Sequence, residues 1–258
     1  QVFKLWSNIV IIYHELQYFL VTNSISDNVS MKFNLSREKV DSLKDYIFKT
    51  IKREIQYNEF WALKNVSFSV ENGDRVGILG LNGAGKSTLL KVIAGVFKPT
   101  EGKVIKNGRL VPLLELGAGF DPQYTGRENI YLYGAMLGYS KSFIEEKFDE
   151  IVEFSELKEF IDVPIKNYSS GMKARLGFSI ATAVEPDILI LDEPFNALDY
   201  KTYEDVKAII RMLKAEGKTI FLTSHHFKDI EQLCDQVYSI EDCRLIPITE
   251  EIAARYRE

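Results

Sequence analysis

The chain has 258 residues, 46% of them hydrophobic and 27% charged, enough for one sizeable core and a small second unit. Lys and Arg number 32 against 37 Asp and Glu, a formal net charge of −5, which excludes the strongly basic balance of a nucleic-acid binder, so no nucleic-acid partner is expected. Two cysteines, Cys234 and Cys243, without C-x-x-C spacing, exclude a disulfide framework and a thiolate zinc site and fit a reducing, cytoplasmic setting.

Residues 5–25 are apolar-rich but broken by Asn8, His14, Glu15 and Gln17, a poor membrane-spanning helix. Lys4 alone and the lack of an A-x-A site do not make a signal peptide. Residues 1–27 therefore read as an N-terminal extension, amphipathic or irregular, a membrane-surface helix being the other reading, and no function is assigned to them. From Val29 to Phe33 the pattern turns β-like, and a charged helical linker is predicted from Arg37 to Arg53. Val66 to Val70 alternates as a half-buried strand, Asn72-Gly73 is a turn signal, and Arg75 to Leu79 reads as a buried strand followed by a helix from Lys86 to about Val96. Val104-Ile105 and Leu110-Val111 flank Asn107-Gly108, the dipeptide of a type I′ hairpin. A helical insertion is predicted from Thr125 to Ile161, with Thr125/Glu128 and Ser142/Glu145 each matching a capping box. A helix near Lys173 to Ala183, a strand Ile188 to Leu191, a helix near Tyr203 to Glu216 and a strand Thr219 to Thr223 complete an α/β pattern with a mainly parallel sheet.

Two motifs carry chemistry. Gly80-Leu-Asn82-Gly83-Ala84-Gly85-Lys86-Ser87 matches G-x-x-x-x-G-K-[ST] between a predicted strand and a predicted helix. Its glycines let successive N–H groups face phosphate oxygens at a helix N-terminus; Lys86 would meet the β/γ-phosphates, Ser87 would offer a hydroxyl to Mg²⁺, and Thr88 would support the same shell. Ile188 to Leu191 then delivers Asp192 and Glu193 to the end of a buried strand, where ligand crevices of parallel sheets open. Asp192 suits Mg²⁺, and Glu193 could take a proton from an attacking water.

With Tyr168-Ser169-Ser170-Gly171-Met172, Ala197-Leu198-Asp199 and Ser224-His225, these motifs resemble an ATP-binding-cassette ATPase over about Val29 to Ile246. The resemblance implies a P-loop NTPase fold with a mainly parallel sheet core, an antiparallel β subdomain and an inserted helical subdomain at about 123–172. The ATPase domain would span 28–248, followed by a short C-terminal helix at 249–258 and no carbohydrate-binding domain. It further implies a head-to-tail homodimer, with ATP between one protomer's phosphate loop and its partner's Ser169, Ser170 and Gly171. Asp199 would lie at the dimer seam. His225 would be the switch histidine, ranked above His226. Tyr57 stands at the spacing of the adenine-stacking aromatic, with Phe60 and Trp61 as competitors. The signature departs from Leu-Ser-Gly-Gly-Gln at Ser170 and Met172. In the loop Leu114 to Pro122, Glu115 takes the place of the usual metal-contacting Gln, with Gln123 as the alternative. Tyr-Ser-Ser-Gly-Met, Leu-Glu-Leu-Gly-Ala-Gly-Phe, Thr125-Gly-Arg-Glu-Asn-Ile130 and the Phe60 to Phe68 segment are similar to the polysaccharide-exporter branch. That similarity implies a lipid-linked O-antigen, capsule or teichoic acid as the transported substrate. It also implies a separate transmembrane permease reached through Leu116 and Phe120, and a peripheral place on the cytoplasmic face of the membrane.

Overall fold

A computed structural model describes residues 22–36, 57–113, 119–196 and 198–257. Most of the N-terminal extension, the Arg37–Arg53 linker helix, and Glu115 and Leu116 lie outside these residues, as does the side chain of Tyr57. Among the described residues no helix is long and apolar enough to cross a membrane.

Two sheets organise the described residues. An antiparallel sheet of order β2-β1-β4 comprises β1 (Thr22–Ser36), β2 (Tyr57–Glu71) and β4 (Glu101–Lys106). β1 begins at Thr22, so it takes in residues 22–27, read from sequence as part of the extension. Pairing with both neighbours, Ser24 with Lys106 and Ser26 with Phe68, outweighs the weak local pattern there. The second sheet has the order β5-β6-β7-β3-β8-β9. It is built from β3 (Arg75–Leu79), β5 (Leu110–Leu113), β6 (Ile188–Leu191), β7 (Thr219–Thr223), β8 (Gln236–Glu241) and β9 (Arg244–Pro247). All its pairings are parallel except the β8–β9 edge.

The Asn107-Gly108 hairpin does not form: β4 and β5 belong to different sheets. A long-range contact decides this, since Asp187 accepts the Arg109 N–H at 2.7 Å and holds the start of β5 beside β6, so the dipeptide turns the chain from one sheet to the other.

The parallel sheet divides the core by the two-residue period of its strands. Ile188 and Ile190 of β6, Val76 and Ile78 of β3, and Phe221 of β7 pack with Val29, Leu63 and Val66 of the antiparallel sheet and with Leu89 and Ile93 of α1 (Lys86–Ala94). Leu189, Leu191, Leu79, Ile220 and Leu222 face the helical side. There lie α2 (Gly126–Met136), α3 (Lys141–Ser155), α4 (Ser170–Ala183), α5 (Tyr200–Ala215), α6 (Phe227–Leu233) and α7 (Glu250–Arg257). Thr125 caps α2 with a complete capping box. The second predicted box is displaced: Ser140 caps α3 by accepting the Phe143 N–H, which leaves Ser142 inside the first turn.

Candidate active site

β3, β6 and β7 end on one edge of the parallel sheet, and each delivers a different piece of the site. β3 runs into the loop Gly80–Gly85, which caps α1 without a side-chain hydrogen bond, leaving the helix N-terminus open to an anion. Gly85 sits at φ 110°, and a Cβ there would stand 2.8 Å from the Ala62 carbonyl oxygen, so the approach of β2 admits only glycine. Asn82, Gly83, Gly85, Lys86, Ser87 and Thr88 line an open cleft of about 270 Å³, completed by Phe60, Ala62, Glu193 and Asn196.

Lys86 is buried. Its Nζ donates to the Gly80 carbonyl at 2.7 Å and to that of Leu81 at 3.3 Å, and lies 3.1 Å from Glu193 Oε1. The other oxygen of Glu193 pairs with His225 Nδ1 at 2.7 Å. Burial pushes the Glu193 carboxyl up, but the hydrogen bonds from His225 and Lys86 prevail and hold it below the ordinary carboxylate range. Glu193 adopts φ 49°, a left-handed backbone that costs a non-glycine residue about 1–3 kcal/mol and is sustained only where its surroundings enforce it. One lysine, one carboxylate and one histidine are thus held in a chain directly above the phosphate loop.

Asp192, the last residue before Glu193, accepts from Thr223 Oγ1 at 2.6 Å. Among the described residues no group of three or more His, Cys, Asp or Glu side chains could hold a metal by itself. Mg²⁺ characteristically binds one or two protein oxygens and completes its shell with phosphates and water. The Asp192 carboxylate, just past the end of β6, and the Ser87 hydroxyl, in the first turn of α1, are both hard oxygen donors and fit that requirement.

The Tyr168–Met172 segment starts α4. Ser169 accepts the Met172 N–H at 3.2 Å as the helix cap, so Ser170 and Gly171 form its first turn. Tyr168 anchors the segment by donating to the Phe160 carbonyl at 2.6 Å, and burial pushes its hydroxyl pKa up to about 12. A Cβ on Gly171 would stand 2.3 Å from Thr202 Oγ1 and 3.0 Å from Asp199 Oδ2, which explains the glycine without any ligand. Asp199 caps α5, accepting the Thr202 N–H at 3.0 Å, which holds its carboxyl below the usual range. Ser169, Gly171 and Asp199 therefore form a second cluster, and it is not among the residues lining the phosphate-loop cleft.

Of the three aromatic candidates, Phe60 is 50% exposed and lines the cleft. The Trp61 ring is engaged by the Lys32 and Lys64 ammonium groups, 5.4 and 5.9 Å from its centre. Gln123 accepts from Lys166 on the helical side. His226 is exposed beside His225, with ring centres 4.0 Å apart, and its N–H donates to Ser224 Oγ. Sequence reasoning did not find Thr223, because its role depends on two residues of a neighbouring strand that no local spacing reveals.

Residues 63–196 match the family model described as ABC transporter. The chain is 44% identical over 236 residues to the O-antigen export system ATP-binding protein RfbB of Klebsiella pneumoniae, covering 90% of this chain and 96% of that protein. It is 43% identical over 233 residues to the teichoic acids export ATP-binding protein TagH of Enterococcus faecalis, covering 89% of this chain and 51% of that one. A solved dimeric structure of the ATP-binding cassette MJ0796, bound to ADP and Pi, shares the fold with a TM-score of 0.68 at 23% identity, over 86% of this chain and 96% of that chain.

Proposed function

The chain belongs to the ABC transporter family, and from that premise we propose that it is the ATP-hydrolysing subunit of an exporter that moves a lipid-linked polysaccharide across the cytoplasmic membrane. The observation that carries the enzymatic half is the Lys86–Glu193–His225 chain above the phosphate loop. The transported class is supported by the likeness to O-antigen and teichoic acid export proteins over nearly the full chain.

In this reading ATP lies along the loop Gly80–Ser87, with its β/γ-phosphates drawing Lys86 away from Glu193. Ser87 and Asp192 would hold Mg²⁺, which would supply charge neutralisation at the phosphates. Glu193, freed from the lysine, accepts a proton from the attacking water, and His225 orients the carboxylate and faces the γ-phosphate. Adenine stacks on Phe60, the exposed ring that lines the cleft, an interaction of about 1–3 kcal/mol, while Tyr57 keeps the spacing of the competing ring.

The Ser169, Gly171 and Asp199 cluster has its geometry without contributing to its own chain's cleft, which fits a role toward a partner's nucleotide in a head-to-tail homodimer. Closure around two triphosphates is the power stroke, and loss of the γ-phosphate charge lets the halves part. A separate permease carries the glycan, and the helical layer with Phe120 meets it. The subunit sits peripherally at the cytoplasmic face. Deleting the coding sequence should strip the host of its surface polysaccharide and leave the lipid-linked precursor inside, and a Lys86→Ala copy should fail to restore export. Unchanged surface glycan in the deletion would overturn the export assignment.

A further inference from the structure

Strand β7 lies between β6, which ends in the two carboxylates, and β3, which leads into the phosphate loop. Its last residue, Thr223, is fully buried, and its hydroxyl works in two directions. It donates to Asp192 Oδ1 at 2.6 Å and accepts the backbone N–H of Glu193 at 2.8 Å. A hydroxyl has one proton; the amide can only donate and an ionised carboxylate can only accept, so both bonds have a fixed sense. Burial and strand formation at this point need no hydroxyl, and valine would fill the same volume with equal β-preference.

We propose that Thr223 is a positioning residue that orients Asp192 for the metal and Glu193 for the water with one hydroxyl. The bond to Oδ1 stops rotation of the Asp192 carboxylate. The bond from the Glu193 N–H anchors a backbone at φ 49°, which sends that side chain between Lys86 and His225. His225 follows Thr223 by two residues, so one strand end sets three groups of the site. The inference rests on the reading of Asp192 as a metal ligand and Glu193 as the base.

The test compares Thr223→Val, Thr223→Ser and wild type in two measurements: steady-state ATP turnover, and equilibrium affinity for a fluorescent ATP analogue with Mg²⁺ and with EDTA. Removing a partner that orients a metal ligand typically costs about 10–100-fold. Turnover of Thr223→Val should fall by that factor, and the Mg²⁺-dependent gain in affinity should shrink about 10-fold while affinity in EDTA is unchanged. Thr223→Ser should stay within about 3-fold of wild type in both. Should the valine variant not fold, Thr223→Ala, which also lacks the hydroxyl, takes its place. Wild-type turnover and Mg²⁺ response in the hydroxyl-free variant would overturn the inference, as would equal losses in the serine and valine variants, which point to the methyl group. Asp192→Asn and Glu193→Gln run alongside: if they turn over ATP normally, the reading of the site itself fails, whereas if they are inactive and Thr223→Val is normal, only this inference fails.

Discussion

Glu193→Gln is expected to tighten the binding of ADP as well as to stop hydrolysis. Lys86 Nζ lies 3.1 Å from Glu193 Oε1, with side-chain exposures of 6% and 19%, so any phosphate that engages the lysine does so in competition with this carboxylate. At an effective dielectric near 20 the direct attraction is about 5 kcal/mol. Most of it is offset by desolvation of the two groups and by the neutral hydrogen bond that glutamine still offers, leaving about 1–2 kcal/mol for the exchange of carboxylate for phosphate. That difference corresponds to roughly 5–30-fold in Kd. ADP is the right probe because it lacks the γ-phosphate that would close a dimer and tighten binding for another reason. Titration calorimetry with the wild type and the variant, at matched thermal stability, measures it. ADP affinity that is unchanged or weaker in Glu193→Gln would refute the competition.

Gly171→Ala should lower ATP turnover at least about 10-fold and destabilise the fold by about 1–3 kcal/mol, because the new methyl enters the space of Thr202 Oγ1 and Asp199 Oδ2; ADP affinity should be untouched, and a parallel loss of ADP binding would contradict the separation of the two clusters. Thr125→Ala removes the α2 cap and should cost about 1 kcal/mol in urea unfolding with little change in turnover per folded molecule. Asp235 clamps the start of β3: burial pushes its carboxyl up, but Lys214 and Arg75 prevail and hold it below the usual range. A depressed folded pKa gives stability that is present above the unfolded value of about 3.9 and is lost as pH falls through the folded value. Asp235→Asn should therefore reduce stability at neutral pH and flatten the acid arm of the curve; identical curves would remove this contribution.

The phosphate loop was legible in sequence because its chemistry is local: three glycines, a lysine and a serine within the eight-residue motif Gly80–Ser87, between strand and helix, leave little to tertiary context. The strand Ile188–Leu191 was legible for the same reason, as an apolar run ending in acids. The Asn107-Gly108 turn misled because the dipeptide encodes reversal and not the sheet that the next strand joins, which Asp187 decides from 78 residues away. Ser142 with Glu145 matches the capping-box pattern, whereas Ser140 is followed three residues on by Phe143 and does not; the hydrogen bond from the Phe143 N–H nevertheless makes Ser140 the cap. The Lys86–Glu193 pair and the Thr223 bridge arise where strands distant in sequence become neighbours, and no spacing rule reaches them.

In the proposed homodimer, two copies of this chain share each nucleotide. A structure of Glu193→Gln loaded with Mg²⁺ and ATP tests it most directly. The expected result is a symmetric dimer in which each γ-phosphate lies within hydrogen-bond reach of Lys86 of one protomer and of Ser169 and the Gly171 amide of the other. A loaded chain that stays monomeric, or a dimer whose Ser169 turns face away from the triphosphates, would contradict it.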